Sequence, residues 1–464
     1  MATHNNNKSV IQRAYMETVE GVVIVGAGSV GLLTALKLGR AGIRVVVLEA
    51  RAGISSSLHA AAFTPTTMAA LADEGLLEEV RKRAVMCPDV AYRHSDGTLI
   101  AKMDCDVLAP DTDYPYLLLL GQNHLCGLIA QQLGALSNVE IRWNHQVEEV
   151  VQDDACVTLQ TRGPGGRTQL RSRWVVAADG AYSSVRDQLG LKMTGRRWPE
   201  RMVAVDVFYD FTLHEYSRAN FIHDPLDWAF IVQLDQSGLW RVCYEENSSL
   251  SDVEIRHRMP ERLQRLLPGA PTADQYRVEQ LDLFQVSQRC VKDLRRGRVV
   301  LAGDAAHVSN PMGGLGLSGG VQDASLLGQA LIAIINENAA PSVLDEYSLS
   351  RRKAFTAFTS KASTPWFTWM KEGGRIQRAR DLALLEKAGT DRAVMREFLL
   401  DFEQFNGRRS RSLTSRVKLI GEVVKQSLHH ALRSTSGFAM ELWERARSRR
   451  TQEHHVQSVI ARNR

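Results

Sequence analysis

Apolar, mostly β-branched residues fill positions 21–25 (GVVIV) and most of 43–48 (IRVVVL), and from 30 to 41 apolar side chains recur every three or four residues. A short continuous run predicts a buried strand and the three-four spacing a helix. Together they predict a βαβ unit with parallel strands and a right-handed crossover. Alternating runs at 139–143, 147–151, 157–161 and 170–177 predict a small antiparallel layer and a return to the main sheet, with a hairpin turn at 163–166 (GPGG). From 202 to 246 the texture changes to β-rich pieces (202–211, 220–223, 228–234, 239–246) separated by Asp224-Pro225 and Ser237-Gly238, which predicts a second, mostly antiparallel sheet. A buried strand at 298–302 and a helix at 319–336 return the chain to the first unit. Beyond Pro365 the pattern is helical to the end, with apolar positions at Leu413, Val417, Ile420, Val424, Leu428 and Ala431.

Composition narrows the class. A chain of 464 residues exceeds what one hydrophobic core usually serves, and 44% hydrophobic with 23% charged residues is that of a globular protein, not a disordered or fibrous one. No apolar stretch reaches the ~20 residues of a spanning helix, so no transmembrane segment is expected. Residues 1–19 are polar and lack the features of a secretory signal; they read as a disordered lead-in to a cytoplasmic protein. Six cysteines (Cys87, Cys105, Cys126, Cys156, Cys243, Cys290) stand without a Cys-x-x-Cys pair, which argues against a disulfide framework and against a metal site. The net charge of +5 belongs to the tail, where 20 Lys or Arg stand against 11 Asp or Glu from Lys371 onward. No nucleic-acid-binding module accompanies it, so no nucleic-acid partner is expected.

The first chemistry lies between the two opening strands. Gly26-Ala27-Gly28-Ser29-Val30-Gly31 fits G-x-G-x-x-G after a strand and at the mouth of a helix, and Glu49 follows at the end of the next strand. Gly26 permits the tight turn, Gly28 lets backbone approach a pyrophosphate, Gly31 allows close helix packing, and Glu49, with Ala50 and Arg51 after it, is placed for ribose hydroxyls. The phosphates would sit on the unpaired N–H groups of the helix start. This motif alone does not choose between FAD and NAD.

Two further segments add to it. Residues 175–186 (VVAADGAYSSVR) form a strand ending in Asp179-Gly180 and a helix start. Residues 299–307 (VVLAGDAAH) form another, continuing through Pro311, Gly313, Gly314, Gly316 and Asp323. With the glycine hexad, these resemble the Asp-Gly and Gly-Asp motifs of the group A flavoprotein monooxygenases, the p-hydroxybenzoate and phenol hydroxylase superfamily, over about residues 22–353. The resemblance implies an α/β fold: a Rossmann-type FAD-binding domain (20–86, 115–190 and 286–365), a β-sheet substrate domain (87–114 and 191–285) and a C-terminal helical region (366–464). It also implies that Gly303 and Asp304 meet the ribityl chain, that Pro311, Gly314, Gly316, Leu317 and Ser318 lie beside the ring, that Gln122 and Asp179 lie along the cofactor, and that Arg186 orders the Asp-Gly loop and helps with the nicotinamide cofactor, a structural ion pair being the alternative. His59, Ala60 and Val147 complete the cofactor contacts implied. Many relatives have Arg where His59 stands and Asn where Ser318 stands, two departures at positions beside the ring.

No second glycine fingerprint follows a strand, which matches a family that binds NADPH or NADH only transiently. The resemblance implies hydride transfer to FAD, reaction with O2 to a flavin C4a-hydroperoxide, and hydroxylation of an aromatic, phenolic or polyketide-like small molecule. A base or anion stabiliser then belongs on the second sheet. The polar candidates are Arg201, His223, Tyr244 and Arg241; Tyr244 and Arg241 point to opposite faces of one strand, so at most one faces the pocket. Tyr209, Phe211, Trp228, Phe230 and Trp240 are candidate walls. The tail is a candidate for covering the active site, for homodimer contact or for an acidic membrane surface, with packing on the domains as the default. Rival readings are an FAD epoxidase or oxidase/dehydrogenase on the same platform and a non-catalytic flavin-binding redox regulator.

Overall fold

The apolar run at 21–25 is the inner half of a longer strand, Met16–Val25, that lies between Gly166–Ala177 and Arg44–Leu48 and parallel to both. The computed structural model describes residues 16–57, 60–361, 363–364, 367 and 375–403. Val22, Val23 and Ile24 have no exposed surface, as expected of a parallel sheet covered on both sides. Helices Ser29–Arg40, Gln122–Leu133 and Leu315–Asn336 share its core. The strand begins earlier than the pattern suggested. Met16–Val19 pair with Gln169–Ser172, so the disordered lead-in expected through residue 19 is corrected there by a continuing ladder; residues 1–15 lie outside the described residues.

Val139–Arg142 joins this main sheet beside Arg44–Leu48. The antiparallel layer consists of Gln146–Gln152, Val157–Gly163 and Gly166–Ala177, with Gly163 opposite Gly166 at the hairpin.

The second sheet has eight strands in the order His307–Val308, Arg277–Val291, Met193–Phe208, Leu239–Glu246, Ala229–Gln233, Ala219–Ile222, Asp89–Arg93, Leu99–Asp104. Its pairs are antiparallel except that Ala219–Ile222 runs parallel to Asp89–Arg93. Side chains alternate between faces, and the register divides them cleanly. Val203, paired with Tyr244, lies on the face covered by helix Asp252–Leu266 through Ile255 and Leu263. Ala204, paired with Cys243, lies on the other face, clustered with Trp198, Met202, Trp228 and Met312.

Helices Arg375–Thr390 and Arg392–Glu403 pack on the far end of this sheet, placing Leu385, Ala388, Met395 and Phe398 against Tyr92 and Met103. The expected stripe at Leu413–Ala431 lies outside the described residues. Among the described residues no helix is long and apolar enough to cross a membrane.

Candidate functional site

At the end of strand Met16–Val25 the chain turns through Gly26 at φ 106°. A Cβ on Gly26 would lie 2.3 Å from the Ala178 carbonyl oxygen, and one on Gly31 2.0 Å from the Gly26 carbonyl oxygen, whereas one on Gly28 would meet nothing within 4 Å. Two glycines are therefore there for packing, and the middle one faces open space. Gly28 is also the N-cap of helix Ser29–Arg40, with no side-chain cap and no acidic residue in the first turn. Its unsatisfied N–H groups and positive end suit an anion. The Glu49 carboxylate is buried at the rim and accepts the Ala27 N–H at 2.8 Å and the Arg51 N–H at 3.0 Å, next to exposed Ala50. The Asn144 and His145 N–H groups bond the carbonyls of Arg51 and Glu49, leading into Val147, which is buried in the main core. Gln122 starts its helix and donates from Nε2 to Ser29 Oγ at 3.0 Å and from its backbone N–H to the Ala60 carbonyl at 2.9 Å.

The two aspartate motifs meet this turn from the neighbouring strands. Asp179 accepts the Val185 N–H with Oδ2, while Oδ1 is buried with no partner among the described residues, and burial raises its carboxyl pKa. Arg186 donates to the carbonyls of Ala181 (3.1 Å) and Ala305 (3.4 Å) and pairs with Asp187. Its guanidinium therefore ties the two motif loops together. Gly303, at φ 61°, turns the second loop so that Asp304 reaches solvent. Asp304 lies deep in the fold yet keeps an open surface, as a group on a cleft floor does, and burial pushes its carboxyl up. It has no hydrogen bond among the described residues.

Behind it, fully buried Asp323 accepts the Gly303 N–H (2.8 Å), His307 Nε2 (2.7 Å) and Arg351 Nε (2.5 Å). His307 and Arg351 hold its carboxyl down to about 2 against the cost of burial.

Pro311 leads into a tight turn with Gly313 and Gly314 at φ 77° and 65°, and helix Leu315–Asn336 starts there without a side-chain cap. A Cβ on Gly316 would meet nothing within 4 Å. Leu317 turns its side chain into the main core. Ser318 bonds Thr67 Oγ1 at 2.8 Å, so its hydroxyl is directed at helix Pro65–Asp73, and only its backbone is placed for the cleft. His59 lies outside the described residues.

On the second sheet the register sorts the polar candidates. Arg201 shares the face of Val203 and pairs with Asp252 at 2.6 Å, at the start of the covering helix. Tyr244 is buried on that same face beneath the Arg262 guanidinium. Both are corrected as pocket residues, and Tyr209, Phe211 and Trp240 go with them into the same cluster. Arg241 lies on the opposite face, clamped by Asp206 through Nε (2.7 Å) and Nη2 (2.9 Å), both side chains buried. His223 follows strand Ala219–Ile222 and, by alternation from the Ile222–Ala229 pair, shares the Met312-facing side with Phe221, Phe230 and Trp228. Burial is the first cause holding its imidazole pKa down, helped by His94 and Arg378 and opposed by Asp224.

A family profile described as FAD binding domain matches residues 20–362. The para-nitrophenol 4-monooxygenase of Pseudomonas sp. (strain WBC-3) is 65% identical over 394 residues, 85% of this chain and 98% of its own. This chain is a group A FAD-dependent monooxygenase. The 6-hydroxy-3-succinoylpyridine 3-monooxygenase HspB of Pseudomonas putida (strain DSM 28022 / S16) is 35% identical over 347 residues, covering 74% of this chain and 87% of the relative. The crystal structure of p-nitrophenol 4-monooxygenase PnpA from Pseudomonas putida DLL-E4 superposes with a TM-score of 0.83 at 63% identity, covering 85% of this chain and 100% of that one.

The flavoprotein is thus an oxidoreductase that binds FAD and hydroxylates an aromatic compound with NAD(P)H and O2. Its residues fit the cofactor: an uncapped helix start beneath open space at Gly28, and an exposed carboxylate at Asp304 with no side-chain partner among the described residues. When bound, FAD supplies the redox and oxygen chemistry, and the monooxygenase supplies position and water exclusion. Two features of the site had gone unnoticed in the sequence. The Asp206–Arg241 clamp is one; the other is Ser57, whose hydroxyl donates to Asp282 Oδ2 at 2.8 Å and ties the segment after Glu49 to the second sheet. The pairing of alternate residues on adjacent strands was the available signal for the first. No local signal marks the second, a contact across 225 positions.

Proposed function

We propose that this monooxygenase oxygenates carbon 4 of a para-substituted phenol, with p-nitrophenol as its substrate. What carries this reading is the 65% identity maintained along 98% of the para-nitrophenol 4-monooxygenase. The Met312-facing side of the second sheet is in keeping with an apolar ring: Ala204 and Cys243 lie among Met202, Trp228 and Phe230 in a buried apolar cluster beside the Asp206–Arg241 pair. Oxygenation at the carbon bearing the nitro group expels nitrite. p-Nitrophenol, O2, NAD(P)H and a proton then balance to 1,4-benzoquinone, nitrous acid, NAD(P)+ and water.

In this reading the N–H groups from Ala27 to Val30 hold the pyrophosphate and Glu49 the ribose. Ala50, Arg51 and Val147 flank the adenine, and Gln122 and Asp179 lie along the diphosphate. Gly303 and Asp304 hold the ribityl chain, and His59, Ala60, Pro311, Gly314 and Gly316 with the backbone of Leu317 and Ser318 frame the ring. His223 accepts the phenolic proton as a neutral imidazole. The domain division keeps the boundaries stated above, with strand Arg277–Val291 running from the substrate unit into the FAD unit. A cytoplasmic setting follows from the reductant required, and a homodimer is tested by light scattering.

The deciding experiment incubates the purified yellow protein with p-nitrophenol, NAD(P)H and oxygen-18. Labelled quinone with stoichiometric nitrite supports the assignment. Unlabelled product with one H2O2 per NAD(P)H supports an oxidase instead, and NAD(P)H consumption that no phenol accelerates sinks the substrate assignment.

A further inference from the structure

Phe355, Thr359, Ser363 and Phe367 follow one another at intervals of four and are all buried. Phe355–Thr359 is a π-helical turn continuing helix Val343–Ala354, and side chains about four residues apart share one face. These residues meet the loop after Asp304 in sequence order. The His307 ring stacks on Phe355 with centroids 5.1 Å apart. Ser363 Oγ accepts Asn310 Nδ2 at 3.0 Å and donates to the Thr359 carbonyl at 2.8 Å. Phe367 packs edge-on against Trp198 (5.0 Å) and Trp228 (5.7 Å) in the cluster that contains Met312.

Asn310 is the hub of this contact and is 1% exposed. Its backbone N–H and its Nδ2 both donate to Gln288 Oε1, at 2.9 and 2.8 Å, and its Oδ1 accepts the Met312 N–H at 3.1 Å. Gln288 belongs to the second sheet, Met312 to the turn that starts helix Leu315–Asn336, and Ser363 to the segment that follows Phe355–Thr359. A buried polar chain is costly unless completed, and when complete it fixes one geometry. Three separate elements are therefore held in register by one amide.

We propose that Ser363 is a positioning residue: through Asn310 it sets the turn at 311–314, and so makes its own segment a working part of the flavin site. This rests on the assignment of that turn to the flavin ring. Apolar packing by Phe355 and Phe367 would hold that segment in place without it. The hydroxyl adds a directional link, because Ser363 is the one of these four residues whose side chain bonds the loop.

The test compares wild type with Ser363→Ala, Asn310→Ala, the double variant and Ser363→Thr, all as FAD-loaded full chains. Two quantities are read: visible circular dichroism of the bound flavin without substrate, and the fraction of consumed NAD(P)H that appears as hydroxylated product. Ser363→Ala is expected to keep its flavin, to alter the dichroism and to lower the product fraction at least threefold. Ser363→Thr, which keeps the hydroxyl, restores both. The double variant should lose less than the sum of the two single losses, since Ser363 Oγ meets Asn310 Nδ2 and, at 3.4 Å, the same Gln288 Oε1 that Asn310 holds. Wild-type dichroism and product fraction in Ser363→Ala, or additive losses in the double variant, overturn the proposal. Should Ser363→Ala fail to fold, Ser363→Cys, similar in volume but a weak hydrogen-bonding group, replaces it with the same criteria. If no phenol is hydroxylated by wild type, the substrate assignment fails while the dichroism still decides this one.

Discussion

Val30 occupies the space that a side chain on Gly303 would need: a Cβ built there would lie 2.8 Å from Val30 Cγ2, and one on Gly320 2.6 Å from the same methyl. The glycine hexad and the Gly-Asp loop are therefore joined by direct van der Waals contact, and the Ser29–Arg40 and Leu315–Asn336 helices close over it. A β-branched side chain has little rotamer freedom with which to yield.

Gly303→Ala should accordingly fail on two counts. Its φ of 61° costs a residue with Cβ about 1–2 kcal/mol, and overlap with Val30 adds about 1–3 kcal/mol. Thermal unfolding and flavin content check this, with the protein expected destabilised and largely colourless. Adding Val30→Ala relieves the overlap and leaves the backbone strain, so the double variant should recover part of the stability. Full wild-type behaviour of the single variant would contradict the contact.

Gly28→Ala should behave in the opposite way. Its φ of −75° and ψ of 176° suit any residue, and its Cβ meets nothing within 4 Å. The apoprotein is expected to fold within about 0.5 kcal/mol of wild type, while FAD affinity falls about a hundredfold because the methyl stands where a pyrophosphate approaches. Fluorescence titration of the apoprotein with FAD gives the answer. Gly31→Ala, whose Cβ would sit 2.0 Å from a backbone oxygen, should not fold at all. An undiminished FAD affinity in Gly28→Ala would remove the dinucleotide from this turn.

These glycines were legible in the sequence because their roles are local: a turn, an approach and a close packing follow from strand, spacing and helix. The second sheet was legible only in part. Alternation showed that Arg241 and Tyr244 face opposite ways, but which face is buried under helix Asp252–Leu266 depends on a pairing between distant strands. Arg201 and Tyr244 thus lie on the helix-covered side, while His223 shares the Met312-facing side with Phe221. The contact of Phe355, Ser363 and Phe367 with the loop at 307–312 and the second sheet had no local mark in the sequence. Arg186 shows the same limit: its ordering of the Asp-Gly loop was legible, but its reach to the Ala305 carbonyl of the second loop belongs to the folded chain.

His223 should control the acid side of the pH profile. Its pKa is lowered from 6.5, first by burial and then by His94 and Arg378, with Asp224 opposing. The neutral, proton-accepting form therefore persists to lower pH than in a free imidazole, and the acid limb of kcat/KM should fall below the ordinary histidine range. His223→Gln should lose that limb and about a hundredfold in kcat/KM. An unchanged limb in the variant would assign it to another group and remove His223 from the chemistry.

Asp323 should make the Gly-Asp loop sensitive to acid. Its folded pKa of about 2 lies below the ordinary 3.8. A carboxylate with a depressed pKa contributes stability that is fully present above its unfolded pKa and is lost as pH falls through the folded one. The window is therefore about pH 4 down to 2, and the contribution is about 2 kcal/mol. Asp323→Asn should flatten the slope of stability against pH across that window, as measured by denaturant unfolding at each pH. The variant should also be less stable at neutral pH, because a neutral amide there leaves the Arg351 guanidinium without its charge partner and puts an NH2 group against one of three donors. Loosening the Gly303 N–H should reach Asp304 next to it, so faster FAD release is expected at neutral pH. If the slope of the variant matches that of wild type, the acid sensitivity comes from other carboxylates and the Asp323 hub is not its source.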